Sequence, residues 1–390
     1  MQYRTLFSAA LAAFTASFFC ACNKTNPDDV PTLPEASDIS LQEVAALLAS
    51  VPLETEQLEE VHDAAFASAL NGYDEEYRMR DLFAAPGTGV GASNPVKAGT
   101  YSRPLRELLR ETLLASATKA SAPQEDPEAW LDALASSDIQ IYWPYSSEWD
   151  GSSLPIVTYD PGEGATRNEG FALLSDGTVK KVTVDENTPL EQPVWVVNRN
   201  EDAQYKTLEL LRREDPSWGS GGEILVKASS ADENGKTLIL RSFIAHRQFD
   251  SWFAGGSEFF VKMGAVEKFK ASTEAELRLY DPNITDFMVV VRRSQMGKEI
   301  PFNAILVSEW TKQLTSCGLM VIEDDGGTRT SWKCNAMVKV NSKSYGIELD
   351  IPLYSRDDIV WRGTLTRSFI ERNSGNPVRL GDATLVFEMI

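Results

Sequence analysis

The order of hydrophobic periods along this chain predicts a multidomain α+β protein. The expected parts are a helical N-terminal region, a small β-containing middle unit and a C-terminal antiparallel β-sandwich of jelly-roll or immunoglobulin-like type. Three observations predict it. Apolar residues between 39 and 137 recur at i, i+3, i+4 spacing, the period of a buried helix face. At Asp138 the period changes to two, the period of a strand. From Glu223 onward, about ten short runs of strand-forming residues are separated by turn dipeptides such as Asn234-Gly235 and Asp325-Gly326, the rhythm of an antiparallel sandwich.

The elements follow in chain order. Arg4 precedes an apolar run from Leu6 to Phe19, too short to span a bilayer, which predicts a secretory signal over residues 1–21. Its end, Phe19-Cys20-Ala21-Cys22, resembles the lipobox of bacterial lipoproteins. Small Ala21 suits cleavage before Cys22, while Phe19 departs from the commoner leucine. The resemblance implies that Cys22 carries a diacylglyceryl thioether and an acylated amine. Several acyl chains at ~0.8 kcal/mol per buried methylene hold a protein firmly to a membrane. It also implies a cell-envelope location, lipid-anchored at the outer membrane on its periplasmic face or at the cell surface. An ordinary signal peptide with a spare cysteine is the alternative. Residues 22–38, with Pro27, Pro31 and Pro34, read as an extended tether.

Residues 39–137 form the helical region. Ser40 with Glu43 predicts a capping box opening a helix over 41–49. Leu58, Val61, His62, Ala65, Phe66 and Ala69 predict the buried stripe of a second helix, and residues 84–100 a loop. Pro104 opens a further helix, and Asp126-Pro127 caps another in which Trp130, Leu131 and Leu134 face inward. The middle unit, 138–216, has expected strands over 139–143, 154–159, 171–174 and 178–184, the last two joined through Ser175-Asp176-Gly177. The continuous apolar run Pro193–Val197 predicts a strand covered on both faces, and 201–213 a helix. Ser217–Gly222 reads as a linker. The sandwich, 223–390, has expected strands over 224–230, 237–245, 258–263, 275–280, 287–292, 302–309, 344–352, 359–370 and 383–389, plus a hairpin turning at Asp325-Gly326.

That hairpin, centred on its turn, sets Cys317 opposite Cys334 at a non-hydrogen-bonded pair, close enough for a bridge. A disulfide between Cys317 and Cys334, or at least two facing thiols, is expected in an exported chain. Zinc is a weaker reading, because the chain has only two histidines, His62 and His246, to complete such a site.

Charge narrows the partners. The formal net charge is −20, and from Thr25 to Tyr77 there are thirteen Asp or Glu and no Lys or Arg. Nucleic acid is excluded as a partner, since phosphate binding needs clustered cations. The anchor and architecture together resemble the multidomain surface lipoproteins of glycan-foraging gram-negative bacteria. The chemistry-bearing motifs are few. There is no G-x-S-x-G elbow, H-E-x-x-H helix, P-loop or dinucleotide fingerprint. His62 falls on an apolar helix face, and His246 sits beside Arg247.

Two groups of residues remain as candidates. Trp143, Tyr145 and Trp149 stand near Pro144, which ends a strand; exposed rings there would stack on sugars while nearby acids take hydroxyls. The acidic loops Asp160–Glu163, Glu323-Asp324-Asp325 and Asp357-Asp358 gather oxygens at expected strand ends. Solvated turns are their ordinary reading. Calcium, through Asp160, Glu163, Asp324 and Asp325, is the one cofactor they suggest. No cofactor is otherwise expected. The functional expectation is a lipid-anchored binding or structural protein with a glycan or an envelope protein as partner and no identified catalysis. The rival is a carboxylate-based, glycosidase-like hydrolase of the envelope, which requires a pocket holding an acid of strongly raised pKa.

Overall fold

The computed structural model describes residues 39–82, 101–117, 126–162, 164–174, 177–202, 205–214 and 235–390. Cys22, Glu163, the Ser217–Gly222 linker and the expected strand 224–230 lie outside the described residues. So do the expected signal segment and the expected tether.

The chain enters through α1 (Leu41–Ser50) and α2 (Thr55–Leu70). The capping box forms as the sequence requires: Ser40 Oγ accepts the Glu43 N–H at 3.1 Å, and Glu43 accepts the Ser40 N–H at 3.2 Å. The buried stripe of α2 is rotated from the expected one. Leu58, Val61, Ala64, Ala65 and Ser68 face inward, while Phe66 is 48 % exposed. A polar network turns the helix. Buried Glu60 accepts the Tyr77 O–H at 3.0 Å and the Leu105 N–H at 2.6 Å, and Ser68 donates to Glu76 at 3.4 Å.

Then come β1 (Glu76–Arg78), α3 (Met79–Leu82), α4 (Leu105–Ala117) and α5 (Pro127–Ala135). Asp126 caps α5 by accepting the Glu128 N–H at 3.2 Å, with Pro127 in the first turn, as expected. The strands β2 (Ile139–Tyr142), β3 (Ile156–Tyr159), β4 (Arg167–Leu173), β5 (Val179–Asp185) and β6 (Val194–Arg199) complete a six-stranded sheet. Its order is β1-β2-β6-β3-β4-β5, antiparallel except where β3 runs parallel to β6. Strand β6 lies inside this sheet, and Val194 to Val197 are all 0 % exposed, which explains their unbroken apolarity. The helices cover one face of the sheet in a shared core with Ile139, Ile141, Trp143, Trp195 and Val197.

After α6 (Leu208–Glu214), the remaining chain is β-rich. Its strands are β7 (Lys236–Ala245), β8 (Ser257–Ala265), β9 (Asn283–Val291), β10 (Ile300–Trp310), β11 (Leu314–Glu323), β12 (Arg329–Val340), β13 (Lys343–Tyr354) and β14 (Asp358–Thr366). The chain closes with α7 (Arg367–Asn373), β15 (Pro377–Leu380) and β16 (Ala383–Met389). One sheet has the order β10-β7-β16-β15; the other runs β13-β12-β11-β8-β9, with β14 also paired to β11. Both contribute to one core that includes Leu240, Phe243, Phe259, Val321 and Phe387. The architecture is therefore α+β with a C-terminal β-sandwich.

Three expectations are corrected. Residues 275–280 do not form a strand; Glu274–Leu279 is a 3-10 helix. The Glu276 carboxylate accepts the Ser272 N–H at 2.7 Å and the Thr273 O–H at 3.1 Å, which curls the segment into a turn. The expected strand over 359–370 ends at Thr366, whose hydroxyl caps α7 at the Phe369 N–H. The third correction concerns the cysteines. Cys317 and Cys334 are free thiols. Strand β11 stays with β12 only at its base, through Leu314↔Val338 and Ser316↔Met337, after which β14 takes that edge and Cys317 stands opposite Leu365.

Strand β12 leaves with β13 as a hairpin that folds over the sheet face. Two glycines make that crossing possible. Gly264 and Gly318 are register partners, and a methyl group on either would press on Leu349 and Ile351 of β13. The Cys334 sulfur rests over Gly318 rather than in register with Cys317.

Candidate functional site

The six-stranded sheet has a second face, and the sandwich supplies its cover. Trp252 and Phe253, on the loop between β7 and β8, pack on Tyr142, Ile156, Val184, Val194 and Val196. The loop is tied down by its own polar groups. Ser257 Oγ accepts the Phe249 N–H at 2.9 Å, Gln248 accepts the Ser257 N–H at 2.9 Å, and Asn198 of β6 donates to the Phe253 carbonyl at 3.0 Å. Arg293 braces it from the far side, donating to the Gly255 carbonyl at 2.9 Å and the Asp250 carbonyl at 2.8 Å.

A groove runs along this seam. Its widest part is about 480 Å³, walled by Arg167, Asp185 and Glu186 on one side and by Gln248, Asp250 and Trp252 on the other. Glu186, Trp252 and Arg293 continue into a hollow of about 180 Å³ beside Tyr145 and Leu190. Tyr145 and Leu190 in turn border a third hollow of about 250 Å³ that reaches Glu148, Trp149 and Asp150. Shared wall residues make the three hollows neighbours along one open, furrowed surface, the trough.

The predicted rings divide on this geometry. Trp143 is 1 % exposed and sits edge-on to Trp149 and Trp195 at 5.4 and 5.6 Å, so it is a core residue and not a docking surface. Trp149 is half-buried at the trough's end, its indole N–H donating to the Ser153 carbonyl at 3.0 Å. Tyr145 is the ring the trough presents most directly. Its φ of 59° lies in the left-handed region, which a non-glycine residue enters only under constraint. Buried Glu75 supplies that constraint, accepting the Tyr145 N–H at 3.1 Å and the Ser146 O–H at 3.0 Å.

Beneath the wide end lies an acidic seam. Asp74 just before β1, Glu76 of β1, Asp202 just after β6, Asp250 of the β7–β8 loop, Glu258 of β8 and Glu323 of β11 gather there. Arg78 is the cation built into it, 2.6 Å from Glu76 and 3.1 Å from Asp202. Burial dominates the electrostatics. It pushes Asp74 up to about 7, with Glu75 adding repulsion, and Asp202 up to about 7, with Glu76 adding repulsion. Glu258 is driven well above the carboxylate range by burial and then by Asp250. Glu323 rises to about 11 through burial and the adjoining Asp250 carboxyl.

The sequence-predicted metal residues behave otherwise. Asp160 and Asp324 cap their own turns, accepting the Gly162 and Gly326 N–H groups at 3.0 and 3.1 Å. Asp325 is half-buried on the same loop as Asp324, and burial raises it to about 6. Glu323 was legible as part of an acidic run. Asp250 and Glu258 were not singled out, although an acid opening the apolar run Ser257–Met263 was the available signal. Neither histidine lines the trough: His62 lies tilted behind Trp149 at 5.3 Å, and His246 bonds Thr384 at 2.8 Å. No helix among the described residues is long and apolar enough to cross a membrane. No family model, no curated protein and no solved structure matches the chain.

Proposed function

We propose that the protein is a lipid-anchored binding protein of the cell envelope, held at the outer membrane through Cys22, whose trough receives a glycan chain. The observation that carries this reading is the trough's continuity. Three adjoining hollows present Tyr145, Leu190 and Trp149 as apolar contacts, with Glu148, Asp185 and Glu186 at hand as hydroxyl acceptors. An elongated, open, amphipathic channel suits a polymer better than a compact metabolite. An envelope protein is the competing occupant.

The carboxylate hydrolase has one point in its favour, the acids of raised pKa. Their placement weighs against it. Glu323 is wholly buried, and the cavity lined by Glu258, Asp202 and Asp250 is about 20 Å³, room for a water or an ion but not for a sugar ring.

The test is isothermal titration against a broad panel of envelope and plant glycans, with Tyr145→Ala and Trp149→Ala beside the parent chain. Binding weakened in both variants supports the reading, and silence across the panel removes the glycan. Intact mass of the membrane-extracted protein tests the anchor: Cys22 at the N-terminus with acyl adducts is expected, and a chain retaining Met1 without adduct overturns it.

A further inference from the structure

We propose that Asp250, Glu258 and Glu323 hold one divalent cation of the calcium class where β8 and β11 meet the β7–β8 loop. One carboxylate oxygen from each residue can be chosen so that all lie within 4.8 Å of one another. Ligands at ~2.4 Å from a central calcium ion stand at most ~4.8 Å apart, so the three oxygens fit within such a shell.

The second observation concerns donors rather than acidity. Glu323 is 0 % exposed, and among the described residues no donor reaches either of its carboxylate oxygens. Asp250 Oδ2 is buried in the same condition. Alongside lies the cavity of about 20 Å³, roughly one water-sized sphere, lined by Asp250, Glu258, Asp202 and Asn200. Asp202 Oδ2 and Asn200 Oδ1 are also buried without a donor. A space the size of one ion thus adjoins the cluster, and Asp250, which lines it, carries a buried oxygen without a donor. Burying carboxylates this way is strongly unfavourable unless they take up protons or a cation sits among them, and a cation that binds competes with those protons.

The donor set selects the ion. It is oxygen throughout, with no imidazole or thiolate among the residues named, which favours a hard cation over zinc or copper. A buried, all-carboxylate set suits calcium better than magnesium, which sheds its waters reluctantly. Arg293 directs its Nε and one Nη at the main-chain carbonyls of Gly255 and Asp250 rather than at these carboxylates. The inference does not depend on what occupies the trough. Its structural consequence does reach the trough, since an ion at this point ties the loop carrying Trp252 to the end of β11.

The test uses the processed chain, stripped with a chelator and dialysed against calcium chloride. Elemental analysis is expected to find one calcium per chain. Thermal melts are expected to rise with calcium, less with magnesium, and not with sodium at equal ionic strength. Glu323→Gln keeps the side chain's shape and removes its charge, so it should fold; its calcium affinity is expected to fall by roughly tenfold or more. Asp281→Asn, on an exposed loop, is expected to bind as the parent does. Folded parent chain that retains no ion at millimolar calcium overturns the proposal, as does an affinity unchanged in both Glu323→Gln and Asp250→Asn.

Discussion

Asp74→Asn should make the chain more stable at pH 8 and progressively lose that advantage as the solution is acidified. Asp74 is 5 % exposed and accepts two backbone N–H groups, from Glu75 at 2.7 Å and from Gly256 at 2.6 Å. Its carboxyl ordinarily titrates at 3.8 and is raised to about 7 in the fold. Between those values the folded chain holds a proton that the unfolded chain has already released. Stability contributed by this group is therefore complete below 3.8, falls as pH rises, and is fully lost above about 7. The whole gap corresponds to about 4 kcal/mol. Asparagine cannot ionise and escapes that loss, but its amide must face one of the two backbone donors, which costs about 1–3 kcal/mol at every pH. The net gain at pH 8 is about 1–3 kcal/mol.

The cleaner quantity is the change in the difference between variant and parent, from which the constant hydrogen-bond cost cancels. Between pH 5 and pH 8 it should move by about 3 kcal/mol in the variant's favour. Urea unfolding of chelator-treated protein, followed by tryptophan fluorescence at several pH values, measures it. A difference that stays flat across that range would refute the assignment of the proton to Asp74.

Other outcomes follow from the same geometry. Arg78→Met leaves Glu76 and Asp202 buried without their cation and should destabilise by about 3–5 kcal/mol, read as a lowered urea midpoint. Gly318→Ala places a methyl group 2.7 Å from the Cys334 sulfur and should cost about 1–3 kcal/mol, measured by thermal unfolding. In native protein, Cys317 should resist iodoacetamide while half-buried Cys334 reacts slowly. Cys317 is wholly buried and its thiol pKa is pushed far up by burial and then by Cys334. Fast modification of Cys317 before unfolding would contradict its position in the core.

Where the sequence spoke clearly, it did so through local physics. The Ser40–Glu43 box, the Asp126 cap and the doubly covered Val194–Val197 strand each depend on residues within a few positions, and each formed. The hairpin at Asp325-Gly326 shows the limit. Its turn signal is strong, yet a five-residue connection separates Glu323 from Arg329, and β14, some forty residues later, outcompetes β12 for the edge of β11. That contest is decided by the bare Gly264–Gly318 patch, a pairing across distant segments that no short window contains. Trp143 could not be told from Trp149 for a similar reason. Their neighbours in sequence are alike, but only one is enclosed by Trp195 from a strand fifty residues away. Asp250 and Glu258 belong to a site assembled from a loop and two strands, so its chemistry was invisible until the fold brought them to Glu323.

The β7–β8 loop does two jobs. Trp252 and Phe253 plug the open face of the first sheet, while Gln248, Asp250, Ser251 and the outer edge of Trp252 form the trough's wall. Whatever grips the wall should also seat the plug more firmly, and the plug is one of the contacts, with the Asp74–Gly256 and Arg292–Ala69 bonds, that join the two halves of the molecule. Occupancy should thus register as heat resistance of the entire body, so a melting-curve screen can find a natural ligand before anyone guesses its chemistry.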